Sequence, residues 1–123
     1  MPGIDECLLE AMTLPGARGA ALVDWTSGLA LGAVGESPVG DHGRSAAEAA
    51  ELARTAAEYE CFAAQDAPAE DVIVGSGNGY HVLRFVVTNF ESSLFLHLWL
   101  DRDTGNLALA RLRLRDLAER LVL

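Results

Sequence analysis

The chain has 123 residues, half of them hydrophobic and 22% charged, a composition that supports one packed domain and excludes a disordered chain. Its net charge of −9 is concentrated early: residues 1–71 hold 13 acids against 3 arginines, and residues 72–123 hold 5 acids against 6. Such an acidic surface argues against nucleic acid or an anionic membrane as the main partner, and the absence of lysine among the nine basic residues excludes a Walker-type phosphate loop and Schiff-base chemistry.

Ile4, Cys7, Leu8, Ala11 and Met12 recur at helical spacing, so a short amphipathic helix is expected over residues 4–13, stopped by Pro15-Gly16. Gly19 to Trp25 reads as a strand, Thr26-Ser27-Gly28 as a turn and Leu29 to Val34 as the hairpin partner. Residues 35–44 read as loop. Ser45-Ala46-Ala47-Glu48 matches a capping box, which predicts a long alanine-rich helix from there to about Gln65. Its wheel carries one stripe of Leu52, Ala56, Tyr59 and Ala63 beside a smooth stripe of Ala46, Ala50, Ala53, Ala57 and Ala64. Two apolar stripes are more than one sheet face requires, and small side chains admit a second helix closely. A dimer interface is therefore expected at Ala46, Ala50, Ala53 and Ala57.

From Asp71 to Asp101 three strands follow with turns too short for a crossover, which fixes an antiparallel meander. Taking Asn78-Gly79 as the turn pair sets Val74 opposite Leu83 and Val72 opposite Phe85. Closing the next hairpin on Asn89-Phe90-Glu91-Ser92 sets Leu83 opposite Leu98, Phe85 opposite Leu96 and Val87 opposite Leu94. In that register His81 and His97 point to opposite faces, and Phe85 and Leu96 lie beneath the first and last helices. Both faces are bulky, so both need cover. A final helix is expected over Asn106 to Leu121, with Leu107, Ala110, Leu114, Leu117 and Leu121 facing the core.

No residue pattern singles out a catalytic or metal site. Asp103-Thr104-Gly105 matches the aspartic-protease triplet, but a helix follows where flap strands would be needed. Asp101-Arg102-Asp103 lacks the lysine and the large parallel sheet of a phosphatase, and a calcium loop opened by Asp101 would need a glutamate where Leu112 stands. His42, His81 and His97 have no close ligand spacing, and Gly75-Ser76-Gly77-Asn78-Gly79 joins two strands without opening a helix. Cys7 and Cys61 suit two free thiols in a reducing compartment. The start is acidic where a signal peptide is basic, and no apolar stretch nears the roughly 20 residues of a span. The expected location is the cytoplasm, with membrane recruitment only through a partner.

The order helix, two strands, long helix, three strands, helix, together with Gly16-Ala17-Arg18-Gly19-Ala20-Ala21-Leu22-Val23-Asp24 leading into the Gly28 turn, resembles the Roadblock/LC7 (dynein light chain, MglB-like) family. Leu107-Ala108-Leu109-Ala110-Arg111-Leu112-Arg113-Leu114 is similar to the ends of its bacterial members. The likeness spans residues 1–123 as a single domain. It implies an α+β fold in which a five-stranded, largely antiparallel sheet carries the first and last helices on one face and the long helix on the other. It also implies a non-enzymatic homodimer without cofactor or metal, joined through the long helices and the third strand at Val72 and Val74. Bacterial members work beside a small Ras-like GTPase, in systems that also carry a sensor-kinase-like protein. The exposed edge of the long helix, Glu51, Arg54 and Glu58, is where that GTPase is expected. The second reading is a profilin-like or PAS-like sensory module holding a small ligand against Val82, Phe95 and Trp99.

Overall fold

A computed structural model of the chain describes residues 3–63, 68–87 and 93–121. The elements are α1 (Ile4–Ala11), β1 (Ala17–Asp24), β2 (Leu29–Gly35), α2 (His42–Glu58), a single 3-10 turn (Glu60–Phe62), β3 (Asp71–Ser76), β4 (Gly79–Val86), β5 (Leu94–Asp101) and α3 (Leu107–Arg120). The strands form one antiparallel sheet in the order β2-β1-β5-β4-β3, so β2 and β3 are its edges.

Two cores lie on the two faces of this sheet. On one, Cys7, Leu8 and Ala11 of α1 and Ala110, Leu114 and Leu117 of α3 cover Leu22, Val82, Val86, Leu96 and Leu98. On the other, Ala46, Ala50 and Ala53 of α2 cover Ala21, Val23, Leu83, Phe85 and Phe95. The expected layering, two helices on one face and one on the other, is the observed one.

The expected strand register is not. In the β3–β4 hairpin Ser76 pairs with Gly79, so Gly77-Asn78 are the turn residues and Gly79 already belongs to the strand. A Cβ at position 79 would lie 2.3 Å from the Leu100 carbonyl oxygen, so close packing against β5, and not the turn, demands this glycine. Val72 consequently pairs with Leu83 and Val74 with His81, a two-residue shift that keeps the β3 and β4 side chains on a common face, although that face lies under α2 and not under the first and last helices as expected.

Between β4 and β5 the discrepancy is a single residue: Phe85 pairs with Phe95, Leu83 with His97 and Val86 with Leu94. A one-residue slip turns every β5 side chain to the other face relative to β4. Phe85 therefore lies under α2, in edge-to-face contact with Phe95 at 6.5 Å between centroids, while Leu96 lies under α1 and α3. The turn expected at 89–92 lies outside the described residues.

The long helix begins earlier than the capping box suggested. Asp41 is its N-cap, its carboxylate accepting from the Gly43 backbone N–H at 2.9 Å. Ser45 is instead interior, donating to the His42 carbonyl and accepting from Ser37 Oγ. The helix ends at Glu58 because Tyr59 adopts extended backbone (φ −90°, ψ 129°); the expected continuation into Ala64 and Gln65 lies outside the described residues. Asn106 caps α3, its side chain accepting from the Leu109 N–H at 3.0 Å.

Candidate functional site

The surface expected to meet a second copy is rearranged on α2. Ala46, Ala50 and Ala53 are at most 1% exposed, packed on this chain's own sheet, and Ala57 joins them partly buried. The first three are not available to a partner, which corrects the interface expected there. The physical reason is the sheet itself. Phe85 and Phe95 project far from its plane, so the helix above them needs small residues to approach. The larger stripe is turned outward instead, with Leu52 and Tyr59 exposed and Phe62 just beyond the helix. On β3, Val72 packs inward against the α2 core, whereas Ile73 and Val74 are exposed on an unpaired sheet edge.

The polar edge of α2 is also differentiated. Glu51 and Glu58 are exposed. Arg54 is not a free cation: Nη2 donates to the Trp25 carbonyl at 2.8 Å and Nη1 to Glu51 at 3.1 Å, tying the helix to the end of β1. On α3, Arg111 is held by a two-pronged contact to Asp71 of β3, at 2.9 and 3.3 Å.

The one-residue slip of β5 brings together two histidines that the expected register had separated. His81 on β4 and His97 on β5 share the α2 face, with His81 Nδ1 and His97 Nε2 2.9 Å apart. They are diagonal neighbours, since His81 pairs with Trp99 and His97 with Leu83, a separation that long side chains span. Each hydrogen bond of this kind needs one ring to donate and the other to accept. The His81 ring also lies parallel to the Trp99 indole, centroids 6.2 Å apart. Arg18 covers Trp99, its guanidinium carbon 3.9 Å from the ring centroid. Burial pushes the His97 imidazole down to about 4, reinforced by His81 and then His42; burial lowers His81 as well. The pair is neutral at pH 7.

Above this pair, between α2 and β3–β4, lies a cavity of about 200 Å³. Its walls are Pro38, Val39, Ala49, Leu52, Val74 and Leu83; Ser45 and Glu48 add polar groups. Val82 faces away from it, into the core beneath α1 and α3, so the ligand site expected on Val82, Phe95 and Trp99 does not form: those residues do not share a face.

The acidic turn after β5 is structural in its contacts. Asp101 accepts from the Thr104 and Asp103 backbone N–H groups and from the Thr104 hydroxyl, and these bonds hold its carboxyl below the usual range. Among the described residues no group of three or more His, Cys, Asp or Glu side chains is placed to hold a metal ion. Nor is any helix there long and apolar enough to cross a membrane.

The topology, with α1 and α3 on one face and α2 on the other, has counterparts among solved structures. A Roadblock/LC7 domain from Streptomyces avermitilis superposes with a TM-score of 0.76 over 96% of this chain and 93% of that one, at 16% identity. The chain has the Roadblock/LC7 fold. MglB of Myxococcus xanthus gives a TM-score of 0.78 over 94% of this chain and 82% of its own, at 17% identity. MglC of the same organism gives 0.61 over 95% and 94%, at 25% identity. No family model and no curated relative matches this Roadblock/LC7-fold chain.

Proposed function

We propose that this chain is a non-enzymatic regulator or scaffold that works as a homodimer and binds a small Ras-like GTPase. The observation that carries the reading is the whole-chain match to bacterial Roadblock/LC7 and MglB structures, the relatives whose role the sequence resemblance implies. The open edge of β3 supports the dimer, because an uncovered strand edge beside exposed Ile73 and Val74 is a liability unless paired. Two β3 strands meeting across a two-fold axis would continue the sheet and set the Leu52–Tyr59 stripes of two α2 helices beside each other. Val72 and Val74 stay in this interface, and Leu52 and Tyr59 take the place of the buried alanines.

The GTPase is placed on the acidic edge of α2, at Glu51 and Glu58, with Arg54 holding that edge in position. Dimerisation doubles this edge into one platform. Arg54, the cation of that edge, is tied to the Trp25 carbonyl and to Glu51 and has no loop to carry it as a finger, so any effect on hydrolysis comes from ordering the GTPase's own catalytic groups. Charge reversal at both glutamates, read by calorimetry against a GTPase of the same organism, should weaken the complex and leave the dimer intact. An unchanged dissociation constant would remove the site from α2.

A further inference from the structure

We propose that the cleft between α2 and the β3–β4 edge binds a small neutral molecule with an apolar body and one hydroxyl group, held by His81. The cavity of about 200 Å³ matches a single aromatic ring with a substituent, since an apolar cavity of about 150 Å³ accommodates benzene. It exists because α2 presents Ser45 and Ala49 there, small residues where a leucine would fill the space.

The chemistry of the floor selects the ligand. His81 is fixed on two sides, by the hydrogen bond from or to His97 through Nδ1 and by the parallel Trp99 ring. The His81 ring lines a cavity whose walls are otherwise mostly apolar, and its Nε2 has no hydrogen-bond partner among the described residues. The tautomers of the two rings are linked. When His81 Nδ1 donates to His97, His81 Nε2 is an acceptor; when Nδ1 accepts, Nε2 carries the proton and donates. A hydroxyl is both donor and acceptor and suits either state. Glu48 at the rim is paired with Arg44, so the mouth carries no net charge that would favour an anion or a cation. The inference does not rest on the GTPase reading. The proposed dimer seam passes the cleft mouth at Leu52 and Val74, so the test must separate the ligand from a second copy.

The test is a nitrogen-15 NMR titration with phenol, using toluene as the probe of matched size that carries a methyl in place of the hydroxyl. Phenol should shift the Ala49, Leu52 and Val74 amides saturably and the His81 side-chain nitrogens with them, and should bind about fivefold more tightly than toluene. His81→Phe should erase that preference, and Ala49→Leu, which fills the cavity from the helix side, should abolish both titrations without lowering the thermal midpoint. Three results would overturn the proposal. One is the absence of saturable shifts; another is equal binding of phenol and toluene by the native chain. The third is a phenol affinity that falls as protein concentration rises, which would give the cleft to a second copy. Should His81→Phe fail to fold, the His81 nitrogen shifts of the native chain decide alone.

Discussion

His81 Nδ1 and His97 Nε2 lie 2.9 Å apart on the face of the sheet beneath α2, beside Leu52, Val74 and Leu83. Two imidazoles in that contact tolerate one added proton poorly and two hardly at all, because the second places like charges within hydrogen-bond distance. This ties the pair to stability as well as to any ligand.

The pH dependence follows in sign and range. His97 has its folded pKa depressed to about 4 from an ordinary value of 6.5, so the native state binds its proton less readily than the unfolded chain. The contribution is fully present above about pH 6.5 and is lost as pH falls from there toward 4, a total on the order of 3 kcal/mol. Urea unfolding at a series of pH values should show this decline, and His97→Gln should flatten it.

Ala53 and Leu52 are adjacent and should respond oppositely to the same charge. Ala53→Glu forces a carboxylate into the α2 core and should cost at least about 3 kcal/mol, appearing as loss of fold. Leu52→Glu should leave the fold intact and convert dimer to monomer in light scattering, lowering the thermal midpoint only by the lost dimer linkage.

Phe85 fills the core between sheet and α2, so Phe85→Ala should destabilise by roughly 3–5 kcal/mol. A double-mutant cycle with Phe95 should return a coupling of about 0.5–1.5 kcal/mol for the edge-to-face pair. A coupling near zero would contradict the register in which those residues are direct partners.

Arg54 joins α2 to the Trp25 carbonyl at the end of β1. Arg54→Met retains the stem and removes the donors, and should cost about 1–2 kcal/mol. Hydrogen exchange should speed up most over the last turn of α2, at Thr55 to Glu58.

The elements were legible in the sequence because helix periodicity and turn residues are local signals, while the layering followed only from the resemblance their order carries. The meander register was not. Leu94-Phe95-Leu96-His97-Leu98-Trp99-Leu100 is bulky on both faces, so alternation offers nothing to distinguish one frame from the next. The histidine pair and its cavity were lost with that frame. Asn78-Gly79 signals a turn at the right place, but the turn pair is Gly77-Asn78, since Gly79 answers to the Leu100 carbonyl. On α2 the helical wheel shows the alanine stripe but not that Phe85 and Phe95 rise to meet it, so its direction is not legible from the sequence. Asp41, a good N-cap four residues before Ser45, was the signal available for the true helix start.

The central claim is a paired platform for a small GTPase, and sedimentation velocity tests it most directly. The chain should be run alone at micromolar concentration and then with a Ras-like GTPase of the same organism, loaded with a non-hydrolysable GTP analogue. The account predicts a dimer alone and a discrete heavier complex with the GTPase, lost when Glu51 and Glu58 are both reversed in charge. A monomer that leaves the sedimentation of the GTPase unchanged would contradict it.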